Sequence, residues 1–233
     1  MSAKRRGRAS NDPHRLTVAL DFGGVLSAGH DPVPDIQELI GGDPAAVGEA
    51  LWSHRAAYDR GAIGPREYWQ HVADAAGMND LTDQEVADLQ DTDNRYFLHL
   101  DPASRALIHD FARNRMRVVL LSNASVAFGE AVRRADWFEA FGFAVVSGEE
   151  GVVKPDREIY RIMLDVLAHE TGGVTRPGDV IFFDDRQDNV EAARALGIDA
   201  HHWPRNGDPL PKGGRPGVEI ARDVLTGRGI PLD

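Results

Sequence analysis

Four places in the sequence put acids, a hydroxyl or an amine where short apolar runs stop. Residues 16–20 (LTVAL) end at Asp21, followed by Phe22 and then Gly23 and Gly24. Residues 117–121 (RVVLL) end at Ser122 and Asn123, and residues 179–183 (DVIFF) end at the adjacent Asp184 and Asp185. Lys154, followed by Pro155, lies in the loop after a fourth run, FAVV at 143–146. Three carboxylates gathered at one buried edge repel one another, and none ionises easily without a compensating cation. A hard divalent ion resolves that conflict, because magnesium takes oxygen ligands and uses one or two carboxylates beside waters and substrate oxygens. Asp21, one carboxylate of the 184/185 pair and a backbone carbonyl of the DFGG turn would make such a set. Lys154 suits a pairing with both Asp21 and a phosphate oxygen, and Ser122 with nearby backbone N–H groups could hold another phosphate oxygen. Carboxylate nucleophiles that form an aspartyl phosphate are an established chemical route.

Taken singly, most of these residues have an ordinary reading. An Asp after a strand is a turn former or a helix cap, Ser122 and Asn123 can also cap a helix, and Lys154 can be a solvated loop residue. Asp184 and Asp185 are harder to dismiss, since a fully apolar run ends there in two charges. What raises them together is that they follow successive strand candidates, Asp21, Ser122 and the Asp184/Asp185 pair ending theirs and Lys154 lying in the loop after the fourth.

The elements that must position them follow from pattern. The runs are short, β-branched and unbroken, as strands buried on both faces are. A weaker strand is expected over 200–203. Between them, 102–113, 156–167 and 189–196 carry apolar residues at spacings of three and four, and Gly197 closes the last of these helices. Strand and helix in alternation predict an α/β fold, a doubly wound parallel sheet covered on both faces. In such a sheet ligands collect outside the carboxyl ends of the strands. Residues 27–100 break the rhythm with helical segments at 33–39, 44–58, 65–76 and 83–89 and no convincing strand. An insertion that long is expected to be a small helical domain, and it leaves from the edge where Asp21 lies, so it could cover the pocket and exclude water. A Pro/Gly-rich loop at 204–217 precedes a last helix over 218–225.

Bulk properties bound the function. The 233 residues suit one α/β domain with a smaller companion, 16–26 with 101–233 being the core. Cys is absent, so no thiol nucleophile or cysteine-ligated metal is available, and an intracellular, cytoplasmic setting is expected. No apolar run is long enough to span a membrane, and no apolar signal segment follows the basic start. The formal net charge of -11 disfavours a nucleic-acid backbone as the main partner. Residues 1–15, with Lys4, Arg5, Arg6, Arg8 and Arg15, read as a disordered, solvated basic tail. The inserted helices also offer an apolar surface that a homodimer could use.

DFGGVL at 21–26, LLSNAS at 120–125, the Lys154-Pro155 pair and IFFDDRQDNVEAARALG at 181–197 together resemble the haloacid dehalogenase-like hydrolase superfamily, with a helical cap inserted after the first strand. The resemblance implies a Rossmann-like three-layer core, a magnesium cofactor and a phosphorylated small-molecule substrate. It implies that Asp21 is the nucleophile and the Gly23 carbonyl a metal ligand. Ser122 would bind the transferred group, with Gly24 and Asn123 beside it, and Lys154 would steady the phosphoryl intermediate. Asp184 and Asp185 would serve the magnesium, Asp185 directly and Asp184 from outside.

One departure matters. Phosphatases of this superfamily typically carry a second Asp two positions after the nucleophile as general acid and base, and Gly23 stands there. General acid-base catalysis is typically worth about 10²- to 10⁴-fold. Either the cap supplies the acid, with His54, Arg55, Tyr58 and His71 as candidates, or the substrate has a good leaving group, or the chain is a noncatalytic binding or regulatory member. Dehalogenases of the superfamily also lack this Asp, but the Asp184/Asp185 pair beside Asp21 argues for a metal-assisted phosphoryl transfer instead.

Overall fold

A computed structural model describes residues 16–27, 31–230 and 232; the basic tail at 1–15 lies outside them. The chain runs β1 (Thr17–Leu20), then four helices α1 (Val33–Ile40), α2 (Pro44–Asp59), α3 (Pro65–Ala75) and α4 (Asp83–Phe97). It continues through α5 (Pro102–Arg113), β2 (Arg117–Ser122), α6 (Val126–Val132), β3 (Phe143–Val146) and the single-turn α7 (Ser147–Glu150). The last elements are α8 (Arg157–Thr171), β4 (Val180–Asp184), α9 (Gln187–Ala195), β5 (Asp199–His202) and α10 (Gly217–Gly227). The strands form one all-parallel sheet in the order β3-β2-β1-β4-β5, with β1 in the middle.

Successive residues of each strand point to opposite faces, and the core divides accordingly. Val18, Leu20, Val118, Leu120, Ile181 and Phe183 pack with Leu107 and Phe111 of α5, Phe128 of α6 and Leu225 of α10. Ala19, Val119, Leu121, Val180 and Phe182 pack with Ile159, Tyr160 and Met163 of α8 and Val190 and Ala193 of α9. Both faces are thus apolar and covered, which is why the strands read as unbroken hydrophobic runs rather than alternating ones.

The connection between β1 and α5 has a core of its own. Ile36, Val47, Leu51, Tyr58, Tyr68, Trp69, Val72 and Leu89 form a cluster separate from the two sheet faces. The insertion leaves and returns at one place: Ser27 bridges Leu100 antiparallel, and the Asp101 N–H donates to the Leu26 carbonyl at 2.8 Å. Helix α4 runs to Phe97, well past the expected end at Leu89. Its second half buries Gln90, Thr92, Asp93 and Asn94, polar residues that give no apolar periodicity; Gln90 and Asp93 are held by partners on other helices, and Asn94 and Thr92 by Gln90 and Arg95 of α4 itself. Strand β5 begins at Asp199, one residue earlier than expected. The expected helix-capping alternative for Ser122 and Asn123 goes instead to Ser125, whose Oγ accepts the Phe128 N–H of α6 at 3.2 Å. Among the described residues no helix is long and apolar enough to cross a membrane.

The cap is seated on the core by contacts near the end of α2. Ser147 Oγ, at the mouth of β3, donates to the Asp59 carbonyl. Gly61, at φ +74°, lies so close to the core that a Cβ there would sit 2.4 Å from the Gly148 carbonyl oxygen. Gly77 has nearly the same backbone, φ +75°, with open space around it. Gly77→Ala should therefore cost only left-handed strain, about 1–2 kcal/mol, whereas Gly61→Ala adds an overpacking cost of about 1–3 kcal/mol because a backbone carbonyl cannot move aside. Urea midpoints of the two variants test this, and equal midpoints would show that the cap does not depend on this seat.

Candidate active site

Strand register brings the sequence-distant polar residues to one rim. Leu20 lies opposite Leu120 on one side and Phe183 on the other, so Asp21 stands level with the ends of β2 and β4. The Asp21 N–H donates to the Phe183 carbonyl at 3.0 Å, extending the ladder by one residue. The chain winds outward from β1 to β3 and then jumps back to β4, so β1 and β4 flank the switch point where an open α/β sheet places its ligand crevice.

Lys154 ties the rim together. Its Nζ lies 2.7 Å from Asp21 Oδ1 and 2.7 Å from Asp184 Oδ2, and donates to the Leu121 carbonyl at 2.8 Å. All three of its N–H groups are thereby engaged. The Lys154 backbone is itself clamped by Asn123, whose Oδ1 accepts the Lys154 N–H at 2.8 Å and whose Nδ2 donates to its carbonyl at 2.9 Å. The Asn123 side chain thus aims the lysine while the residue also borders the cavity. Ser122 is buried at the end of β2.

The acids differ in how they are held. Asp21 Oδ1 also accepts its neighbour Phe22's N–H at 2.7 Å, and no described hydrogen bond engages Oδ2. Asp184 is fully buried: Oδ1 accepts the Arg186 N–H at 2.8 Å and Asn189 Nδ2 at 2.9 Å, and Oδ2 is taken by Lys154. Asp185 is less enclosed and its Oδ2 meets Arg205 Nη1 at 2.5 Å. One carboxylate oxygen from each of Asp21, Asp184 and Asp185 lies within 4.8 Å of the others, an arrangement that could hold a metal ion. Burial pushes the Asp21 carboxyl up to about 7, against Lys154 and with Asp184 and Asp185 adding to the rise. Burial and Asp184 likewise raise Asp185. A cluster that resists ionising in this way is one a divalent cation would relieve, so the donor set fits a hard metal.

Beside this rim lies a cavity of about 470 Å³ between core and cap. Asp21, Gly23, Asn123, Lys154 and Asp185 line it from the core, and Trp52, Arg55, Ala56, Asp59 and Arg60 from α2 and its end. Larger grooves of about 630 and 650 Å³ lie elsewhere and touch none of the rim acids; convergence of chemistry, not size, marks the site. Its lining holds Arg55, Arg60, Lys154, Arg186 and Arg205 against Asp21, Asp59 and Asp185, a cationic balance in a chain of net charge -11. Gly23 has nothing within 4 Å of where a Cβ would stand. Gly24 instead sits at φ +74° beneath Arg205 and Asp185, and its carbonyl accepts the Asn206 N–H at 2.7 Å.

Of the four cap residues named as candidates for the missing acid, only Arg55 borders this cavity. His54 and His71 stack on each other at 4.2 Å, His71 lines a separate groove, and the buried Tyr58 donates its hydroxyl to Gln90. Arg205, Asp59 and Trp52 were not singled out from the sequence. Arg205 follows β5 and so could have been found by the rule that located the acids, while Trp52, Arg55 and Asp59 lie along one face of α2 at spacings of three and four.

A family model described as haloacid dehalogenase-like hydrolase matches residues 16–197. The chain belongs to that family. Among relatives of this haloacid dehalogenase-like chain, the sesquiterpene phosphatase astK of Aspergillus oryzae is 25% identical over 78% of this chain and 86% of its own length. The drimenol cyclase drtB of Aspergillus calidoustus is 28% identical over 78% of this chain, which spans only 32% of that longer protein. In structure, a haloacid dehalogenase-like family enzyme of Bacteroides thetaiotaomicron, crystallised with magnesium and inorganic phosphate, superposes with a TM-score of 0.62 at 21% identity, covering 86% of this chain and 99% of that one. L-2-haloacid dehalogenase of Xanthobacter autotrophicus superposes at 0.60 with 20% identity over 91% and 82%. At these identities the structural matches establish the fold.

A carboxyl whose pKa is higher in the folded protein contributes stability at low pH that is lost as pH rises through the folded value. For Asp21 the window runs from 3.8 to about 7. Metal-free protein should therefore lose stability across that window, and D21N should have a shallower slope and exceed the wild type at its upper end. Urea midpoints against pH in chelator would check this; parallel profiles would contradict it.

Proposed function

We propose that the chain is a magnesium-dependent phosphatase that removes a phosphoryl group from a small phosphorylated metabolite by attack of Asp21. The observation that carries this reading is the Asp21–Lys154–Asp184 bridge, with Asp185 alongside, opening on a cavity whose charged lining is more cationic than acidic. Such a lining attracts an anionic substrate, and burial of the acids favours a bound divalent ion. The phosphatase activity named for astK and the magnesium and phosphate in the Bacteroides enzyme support the same reading.

Magnesium would be held by Asp21, Asp185 and the Gly23 carbonyl, where it would neutralise charge between an anionic substrate and an anionic nucleophile. Asp184 is better placed to orient than to ligate, because both of its oxygens are engaged by Lys154, Arg186 and Asn189. The oxygen of Asp21 that accepts from Phe22 and Lys154 fixes the carboxylate, and the other is free to attack phosphorus and form the aspartyl phosphate. Lys154 opposes the effect of burial on Asp21 and, with the metal, would favour the ionised form that this attack needs. Asn123 lines the cavity where the transferred group would rest, and Ser122, at the end of β2, and Gly24, beside Asp185, would assist it from next to that lining. Trp52, half exposed at the cavity wall with Ala56, gives the leaving side an apolar surface, which favours a leaving group with a hydrocarbon face.

Phosphate release from a panel of phosphorylated metabolites and phosphorylated terpenoid alcohols, with and without magnesium, tests the proposal. Turnover should require magnesium, vanish in D21N, and show a raised KM in W52A for the best apolar ester. A panel without turnover, or D21N at full activity, would end the phosphatase reading.

A further inference from the structure

Gly23 leaves the phosphoryl-transfer site without a proton donor on the nucleophile's own loop, and the cap brings a carboxyl to the same cavity. Asp59, the last residue of α2, lines the space bordered by Asp21 and Gly23. Its position is fixed from both sides. The Asp59 carbonyl is held by Ser147 of the core, and its carboxylate is gripped by Arg55 Nε at 3.0 and 3.2 Å. The side chain keeps 18% of its surface exposed, enough to meet a ligand, whereas Asp93 behind it keeps 1%. We propose that Asp59 is the catalytic general acid and base of this enzyme, delivered by the cap in place of the carboxyl that Gly23 lacks.

The electrostatics around Asp59 suit the task. Arg55, on the same helix, serves two carboxylates at once, holding Asp93 of α4 through Nη1 at 2.9 and 3.0 Å. One guanidinium therefore faces two acids and leaves one surplus negative charge. Burial pushes Asp59 up to about 6, with Asp93 adding to the rise and Arg55 opposing it. From the core, Ser147 and Gly148 pack against this end of α2 without charge, and Asp156 pairs with Arg60 at 3.6 Å. Across the cavity stand Lys154, Arg186 and Arg205, and Arg60 follows in the chain. A carboxyl poised near neutrality can donate and accept within one cycle.

The step balances with the groups present. As the Asp21 oxygen bonds to phosphorus, the bond from phosphorus to the leaving oxygen breaks, its electron pair stays on that oxygen, and the Asp59 proton completes the alcohol. Water then attacks phosphorus while Asp59 takes its proton, the bond from phosphorus to the Asp21 oxygen breaks with its electron pair returning to the Asp21 carboxylate, and inorganic phosphate leaves. The cap candidates His54, Tyr58 and His71 do not border this cavity, and Arg55 cannot lose a proton.

This inference rests on the phosphatase reading, and the experiment separates the two. Wild type, D59N, G23D and the double variant are assayed with magnesium on p-nitrophenyl phosphate, whose leaving group needs little protonation, and on phenyl phosphate, whose leaving group needs more. We expect D59N to lose about 10²- to 10⁴-fold in kcat/KM on phenyl phosphate and under about tenfold on p-nitrophenyl phosphate, so that the second ester also reports a folded protein. The basic limb of the wild-type pH profile on phenyl phosphate should disappear with it. Open space at Gly23 admits a side chain, so G23D should restore phenyl phosphate turnover to D59N. If D59N slows both esters equally, or the double variant hydrolyses p-nitrophenyl phosphate without regaining phenyl phosphate, the role of Asp59 is overturned and the phosphatase reading stands. If the wild type releases phosphate from neither ester, both fall.

Discussion

A single buried ammonium group holds the rim of this sheet together. Lys154 Nζ is shared by Asp21, Asp184 and the Leu121 carbonyl, so β1, β2 and β4 all converge on one side chain. Ion pairs of this kind are expensive to desolvate, and here one lysine must serve two acids with a third close by. The fold tolerates the imbalance because Asp184 has its other oxygen satisfied by Arg186 and Asn189, and Asp185 reaches Arg205. Asp21 is the member left least satisfied. Its raised proton affinity follows from burial, and so does the suitability of the cluster for a hard cation. The fold has concentrated its least comfortable charges where they can do chemistry.

The cap repeats the same arithmetic in miniature. Arg55 stands between Asp59 and Asp93, two acids to one cation, and it also lies over the Phe97 ring at 4.6 Å. Both networks therefore carry an excess of acid held in place by one base, and the cavity lies between them. The contact of α2 with the β3 end, through Ser147 and the close approach of Gly61 to Gly148, sets their separation. Cap and core are thus not interchangeable parts, since each supplies part of the cavity's wall.

How much of this was legible in the sequence depended on the type of signal. Asp21, Ser122, Asp184 and Asp185 could be found because strands buried on both faces read as apolar runs, and a polar residue ending such a run is conspicuous; Lys154 was found from its place in the loop after a fourth run. The sheet and the long insertion followed from the same runs and their spacing. The second half of α4 was not legible, because Gln90 and Asp93 are buried polar residues whose partners lie on other helices. Periodicity cannot register a face stabilised by long-range hydrogen bonds. His54 and His71 drew notice for their chemistry, yet tertiary packing stacks them together away from the cavity.

Asp59 shows why the missing part was missing. At the end of a helix an Asp looks like solvated surface, and its spacing of four from Arg55 reads as an ordinary surface ion pair. Its significance arises from three separate facts of three-dimensional structure: Arg55 is divided between it and Asp93, Ser147 pins its backbone to the core, and the position facing the nucleophile lacks a side chain at Gly23. A proton donor on the nucleophile's own loop would be placed by a strand, whereas one on the cap is placed only by closure. Acid catalysis and exclusion of water then become a single event, since the cap position that brings the carboxyl to the leaving oxygen is also the one that covers the cavity.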